Sequence, residues 1–292
     1  VNLFDIQQQD MTDRPPIIIE DLPPSSDPVV LEVRDMQKTF APPAAGQPPH
    51  HVLRGVNLTV TEADVFVILG PNGCGKSTFL KCLNLLEPYQ QGEVLLRGKV
   101  VSRGRPLGHL PTRAEERDTR RLRTQIGMVF QQFNLFPHMS VIDNVALGPR
   151  VSLKKPRAEA EAIAEAALRS VGLIEKANAD PLTLSGGQQQ RVAIARSLAM
   201  GPEVMLFDEI TSALDPVLVR EVFKVIKDLV FKEKMTMLLV THDMDFARSV
   251  ADRVIFMDHG RISVFGTPEF VFDKCQDQRL RSFIRPFEHA PA

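Results

Sequence analysis

The chain has no tryptophan, a single tyrosine and only three cysteines in 292 residues. Cys74, Cys82 and Cys275 follow no metal-ligand spacing, and so sparse and odd a set excludes a disulfide-stapled scaffold. It reads instead as reduced thiols of a cytosolic protein. No apolar run approaches the roughly 18 residues that cross a bilayer. The opening "VNLFDIQQQDMTDRPP" is acidic and lacks the basic start and apolar core of a signal peptide. Charge of one sign is missing too: the net value is −1, which excludes a globally basic nucleic-acid binder. The length fits one large α/β domain or one domain with a subdomain.

Proline is abundant at the N-terminus, where "RPPIIIEDLPPSSDP" cannot form a helix and suits a central strand poorly. Residues 1–28 are therefore expected to be a largely disordered extension. "VVLEVRDMQKTF" and "VLRGVNLTV" read as strands that pair across the Pro/Gly/Ala loop of residues 41–51. Five short apolar runs follow: "VFVIL", "IGMVF", "VMLF", "MLLVT" and "VIFMD". Separated by helical stretches, they predict a mainly parallel sheet covered on both faces. Helices are expected in "GKSTFLKCLNLL", "RAEAEAIAEAALRSVG", "QQQRVAIARSLAM", "VLVREVFKVIKDLVFKE" and "MDFARSVA". Residues 133–200 hold helical patterns and no strand pattern, so they read as a helical subdomain inserted into an α/β core of residues 29–132 and 201–276. Residues 277–292 are expected to form a C-terminal tail.

"VFVILGPNGCGKST" carries the first chemistry. Gly70, Gly75, Lys76 and Ser77 satisfy G-x-x-x-x-G-K-[ST] between a strand and a helix start. Four such fixed positions arise by chance in about one chain of this length in a hundred, and the strand-loop-helix setting lowers that further. Such a loop, Gly70–Pro71–Asn72–Gly73–Cys74–Gly75, folds tightly enough to aim successive N–H groups at a polyphosphate. Lys76 supplies a point charge to the β- and γ-phosphates, Ser77 a hydroxyl for Mg²⁺, and Thr78 continues the helix start. Cys74 reads as a small side chain tolerated between glycines, ahead of the reading as a reactive thiol.

Polar residues end three more apolar runs, where open α/β sheets hold their ligands. Asp208 suits a Mg²⁺ contact and Glu209 a base that orients and deprotonates the attacking water. His242 suits a γ-phosphate contact, and Gln131 a Mg²⁺ or water ligand. Phe40 could stack on a base or belong to the core.

A second anion cradle stands in "LSGGQQQR". Ser185, Gly186 and Gly187, then Gln188, open a helix with backbone donors. The residues alone leave open whether both cradles serve one ATP within a chain.

Gly70–Thr78, Gln131, "LSGGQ", "FDE" at 207–209, "SALD" at 212–215 and His242 occur in the order seen in the ATP-binding cassette ATPases, and the resemblance covers about residues 29–275. It implies a P-loop fold with a RecA-like core, an antiparallel β part and an inserted helical subdomain. It implies ATP and Mg²⁺ as cofactors, and a head-to-tail dimer in which the "SGG" amides of one subunit close over the ATP of the other, with Asp215 bridging the two sites. Three features depart from the family pattern: Ile210 stands where proline is common, Phe40 where tyrosine is, and residues 1–28 have no counterpart in minimal members.

"GMVFQQFNLFPHMSVIDNVALGP" and "LNLLEPYQQGEV" resemble the ATPase subunits of polar amino acid importers. That implies a peripheral place on the cytoplasmic face of the membrane, a homodimer or paralogue pair, and indirect coupling to a solute-binding protein. The permease would be met through residues 131–140, with Phe133, Phe136, Pro137 and Met139 walling its groove, or else filling the subdomain's own core.

Residues 97–123 contain nine Lys/Arg, including Arg113, Arg117, Arg120, Arg121 and Arg123. Acids are interspersed and no aromatic is present for stacking, so the stretch reads as a solvated helix and no nucleic-acid partner is expected. A soluble cassette ATPase of DNA repair or translation is the competing reading, but the long coiled coil or second cassette usual there is lacking. A GTPase or small-molecule kinase would not need "LSGGQ".

Overall fold

In the parallel sheet, strand β4 (Val65–Leu69) is buried along its whole length. Val65, Val67 and Leu69 enter one hydrophobic core, while Phe66 and Ile68 enter a second on the opposite face. A strand covered on both sides reads as a continuous apolar run, because successive side chains point to opposite faces. The same holds for β8 (Val204–Asp208) and β9 (Met237–Val240). The computed structural model describes residues 17–21, 27–42, 48–212 and 214–288.

The main sheet also contains β1 (Ile18–Ile19), β7 (Ile126–Val129), β10 (Arg253–Asp258) and β11 (Arg261–Gly266), in the order β1-β11-β10-β4-β9-β8-β7. All neighbours pair parallel except β10 with β11, which form a hairpin. A second, antiparallel sheet has the order β3-β2-β5-β6, from β2 (Val29–Phe40), β3 (His50–Thr61), β5 (Gln91–Leu96) and β6 (Lys99–Arg103). The expected pairing across the Pro-rich loop is present, with Phe40 opposite His50.

The helices are α1 (Lys76–Leu83), α2 (Arg113–Gln125), α3 (Val141–Val151), α4 (Arg157–Ser170), α5 (Gly186–Leu198), α6 (Pro216–Phe231), α7 (Met244–Val250) and α8 (Gln278–Glu288). Between β7 and β8 the described residues form helices and turns without a strand. The apolar stripe of α4 is buried as its spacing predicts, at Ala160, Ala164, Ala167 and Leu168, with Ile163 at its margin.

The basic stretch becomes α2, of which only Leu122 is buried. Its start is a capping box: Thr112 Oγ accepts from the Glu115 N–H, and the Glu115 carboxylate accepts from the Thr112 N–H. That backbone bond, followed by His109 and the Thr112 hydroxyl, holds the Glu115 pKa down to about 2. This cap is complete above the ordinary carboxylate range and is lost as pH falls towards that value.

Two features add to the expected organisation. Within residues 1–28, Ile18 and Ile19 pair parallel with Val264 and Phe265 at the sheet edge. An edge position tolerates neighbouring prolines, which a central strand would not. The rest of that segment, apart from residues 17–21 and 27–28, lies outside the described residues. The C-terminal tail is in large part helix α8. Leu280 and Ile284, four residues apart, are buried in the first core, and the Phe283 ring lies 5.5 Å from Phe256.

Candidate active site

The parallel strands place four chain turns side by side at their carboxyl ends. Gly70 follows β4, Thr241 and His242 follow β9, Asp208 and Glu209 close β8, and Gln131 lies just past β7. The registers Ile68–Val240, Asp208–Val240 and Val129–Phe207 keep these ends level. One edge of the sheet thus gathers residues that are up to 172 positions apart in sequence, Gly70 to His242.

In the first loop Pro71, Asn72 and Gly73 face solvent while Cys74, Gly75 and Lys76 are buried. Gly70 is needed sterically. With φ of 148°, a Cβ there would come within 2.2 Å of the Met257 carbonyl oxygen on β10. Gly75 caps α1 at φ 109° and offers no side-chain acceptor, so the first-turn amides of α1 keep no side-chain partner. An uncapped helix start with successive N–H groups is an anion site. The Lys76 ammonium donates to the Gly70 carbonyl at 2.8 Å and the Pro71 carbonyl at 3.2 Å. Lys76 is 5% exposed and, among the described residues, has no carboxylate within ion-pair distance. A buried cation held only by carbonyls fits a phosphate chain as its counter-charge.

Ser77 Oγ donates to Asp208 Oδ1 at 2.6 Å, which ties α1 to the end of β8. Burial raises the Asp208 pKa, against the pull of the Ser77 hydrogen bond. No cluster of three His, Cys, Asp or Glu ligands exists among the described residues. One carboxylate and one hydroxyl fit Mg²⁺, which binds few protein groups and completes its shell with phosphate oxygens and water.

Glu209 Oε1 lies 3.0 Å from His242 Nε2. Glu209 has φ of 49°, and its N–H donates to Val240 O at 3.1 Å. Gln131 is exposed at its strand end. Phe40 is half-buried, which removes it from the core, and the Lys38 ammonium sits 4.2 Å from its ring centroid. Burial pushes the Cys74 thiol pKa up despite nearby Lys76, which supports the inert reading.

The second cradle is a well-formed cap. Ser185 Oγ accepts from the Gln188 N–H at 3.3 Å and Gln188 Oε1 accepts from the Ser185 N–H at 3.0 Å. The two glycines also have a packing role: Cβ atoms would meet Leu214 and Leu218 at 3.0 Å from Gly186 and Gly187 respectively. Asp215 caps α6, accepting from the Val217 and Leu218 N–H groups. Helix α5 packs against β7, which is three strands from β4. At the usual strand spacing β4 and β7 lie about 14 Å apart.

Sequence reasoning missed three contributors. The β10–β11 turn touches the first loop, with Gly260 N–H donating to Cys74 O at 3.0 Å; "HG" between two apolar runs was the available hairpin signal. Lys38 and Asn144 are buried polar residues that nothing in the local sequence pattern marks.

Fold and site together define a P-loop nucleotide-binding cassette. The ABC transporter family model matches residues 53–212. The chain is 47% identical over 256 residues to the L-cystine import ATP-binding protein TcyN of Bacillus subtilis, covering 88% of this chain and 93% of that protein. It is 49% identical over 234 residues to the glutamine transport ATP-binding protein GlnQ of Geobacillus stearothermophilus, covering 80% and 92%. The arginine transport ATP-binding protein ArtM of B. subtilis is 44% identical over 87% of this chain and 98% of its own. Among solved structures, the dimeric cassette MJ0796 in a post-hydrolysis state with ADP and Pi aligns at TM-score 0.69 and 32% identity, over 82% of this chain and 98% of that one. CbiO1 from Clostridium perfringens, part of a transporter complex, aligns at TM-score 0.70 and 30% identity, over 89% and 96%. The chain belongs to the ABC transporter family of ATP-binding subunits, and it is an ABC-type ATPase. Among the described residues no helix is long and apolar enough to cross a membrane.

Proposed function

We propose that the chain is the ATP-hydrolysing subunit of an importer for a polar amino acid, acting with Mg²⁺ as a head-to-tail dimer on separate membrane subunits. Relatives named for cystine, glutamine and arginine transport support the cargo class. The observation that carries the mechanism is the convergence of Lys76, Ser77, Asp208, Glu209 and His242 on one sheet edge. The Ser185 cradle opens a helix that packs against β7, three strands from β4. That placement, with the dimeric form of the related cassette MJ0796, supports closure of the Ser185 cradle over a partner's nucleotide, with the surface-exposed Asp215 beside the interface.

Lys76 and the loop amides bind and orient the phosphates; Ser77 and Asp208 would hold Mg²⁺, which neutralises the charge developing on them. Glu209 positions a water and takes its proton, and His242 holds Glu209 and contacts the γ-phosphate side.

Residues 131–140 form the proposed permease contact. Phe136, Pro137 and His138 are exposed, and Phe133 and Met139 half-buried. Asn144, fully buried, organises this loop: its Oδ1 accepts from the Phe136 N–H at 2.8 Å, and its Nδ2 lies 3.0–3.1 Å from the carbonyls of Phe136, Met139 and Ser140. Asn144→Ala leaves these groups unpaired and should cost about 2–3 kcal/mol, read as a lower urea midpoint. It should also weaken permease binding more than ATP binding.

The test of function is purification of the chain from detergent-solubilised membranes with its partners. Co-purifying permease subunits, and ATP-dependent uptake of arginine, glutamine or cystine after reconstitution, are expected. Recovery of the chain without any membrane protein would overturn the reading.

A further inference from the structure

Away from the nucleotide site, a cavity of about 470 Å³ lies between the β5–β6 hairpin, the loop after α1 and helix α2. This is the size range of small-molecule sites. Much of its wall is apolar: Leu85 and Pro88 come from the loop after α1, and Pro106, Leu107 and Pro111 from the segment leading into α2.

Most charges around it are already paired. Arg103 meets Glu93 at 2.7 Å, Arg105 meets Glu115 at 3.3 Å, Arg120 meets Glu116 at 4.0 Å and Lys38 meets Glu87 at 3.2 Å. Arg123 differs. Its Nε and Nη2 donate to the carbonyls of Asn84 and Leu85 at 3.2 and 2.9 Å. Among the described residues it has no carboxylate within ion-pair distance, and its Nη1 makes no hydrogen bond. The residue is exposed overall, and partial desolvation of the guanidinium lowers its pKa with no acid opposing the shift. Tyr89 and Ser102 share the wall, and their buried hydroxyls have no partner of good geometry among the described residues.

We propose that this cavity binds a small molecule with an apolar body and a single carboxylate, the carboxylate paired with Arg123 and the body lodged against Leu85, Pro88 and Leu107. A guanidinium fork matches a carboxylate, and one uncompensated cation calls for one negative charge. A neutral ligand would leave Arg123 unpaired, and a cationic one would be repelled.

The probes are indole-3-acetate and its neutral analogue indole-3-ethanol. Each is titrated by calorimetry and ligand-observed NMR into the full chain, with the nucleotide site filled by magnesium and a non-hydrolysable ATP analogue. The acid should bind at least about tenfold tighter than the alcohol. Arg123→Gln, which retains donors for the loop carbonyls, should bring that ratio to near one. Leu107→Trp, at a position 52% exposed and so able to accept the larger ring, should close the cavity and abolish binding of both. Absence of saturable acid binding below about 10 mM, equal affinities in the unsubstituted chain, or binding untouched by Leu107→Trp would each overturn the assignment. Should Arg123→Gln fail to fold, the acid-to-alcohol ratio and Leu107→Trp decide it.

Discussion

Replacing Glu209 by glutamine is expected to slow ATP hydrolysis at least about a hundredfold while leaving ATP affinity unchanged. The amide keeps the volume of the side chain and can still hydrogen-bond His242, which lies 3.0 Å from Glu209 Oε1. It cannot take a proton from water. The backbone should hold its place, because it is fastened on several sides. The N–H of residue 209 donates to Val240 O, and its carbonyl accepts from the Ser212 N–H at 3.2 Å and the Ser212 hydroxyl at 2.8 Å. Ile210, 4% exposed, anchors the next position in the core where a proline would otherwise restrain it. A φ of 49° at a non-glycine residue is uncommon, and these contacts are what sustain it. With hydrolysis blocked, ATP should persist between two subunits. Size-exclusion chromatography with saturating Mg·ATP should therefore show a dimer for this variant and turnover assays should show the rate loss. A monomer peak alone would remove the closure model, and an unchanged rate would remove Glu209 as the base.

The buried parallel strands were legible because a strand covered on both faces writes itself as an unbroken apolar run, as "VFVIL" and "VMLF" do. The P-loop was legible because its chemistry is local: "GPNGCGKST" carries its own spacing. Strands β5 and β6 were not, since "QGEVLL" and "KVVSR" are half polar, and β5 is stabilised by pairing with β2 across the chain while β6 depends on β5 in turn. Helix α8 was missed because its apolar spacing, Leu280, Phe283, Ile284 and Phe287, is short, set among arginines and interrupted in sequence by Pro286. The Ser77–Asp208 and Glu209–His242 contacts join residues 131 and 33 positions apart. The motifs supplied the names of those partners, and only the sheet order supplied their distances. The two glycines of "LSGGQ" were read for their exposed amides. Their second constraint, close packing on Leu214 and Leu218, is a property of the folded neighbour and leaves no mark in the segment itself.

Lys76→Ala and Ser185→Arg chains, each inactive alone, should regain ATPase activity when mixed. Lys76→Ala removes the buried ammonium that faces the phosphates and should lower ATP affinity at least about a hundredfold. Ser185→Arg removes the hydroxyl that caps α5 and puts a bulky side chain at the mouth of the second cradle, leaving the first loop untouched. In a two-fold dimer of the two chains, one composite site unites both lesions and the other has an intact loop and an intact cradle. Half of randomly paired dimers are mixed, each with one sound site of two, so at most about a quarter of the unsubstituted activity should return. If each nucleotide were instead served by both cradles of its own chain, every site in the mixture would carry a lesion and mixing would restore nothing. The packing of the Ser185 helix on β7, three strands from β4, and the dimeric form of the related cassette MJ0796 argue for the first outcome. Turnover of the mixture against the two separate chains at equal total protein distinguishes the cases, and a double-substituted chain mixed with unsubstituted chain supplies the converse control, since its mixed dimers keep no sound site if the cradles pair between chains and one sound site if they pair within a chain.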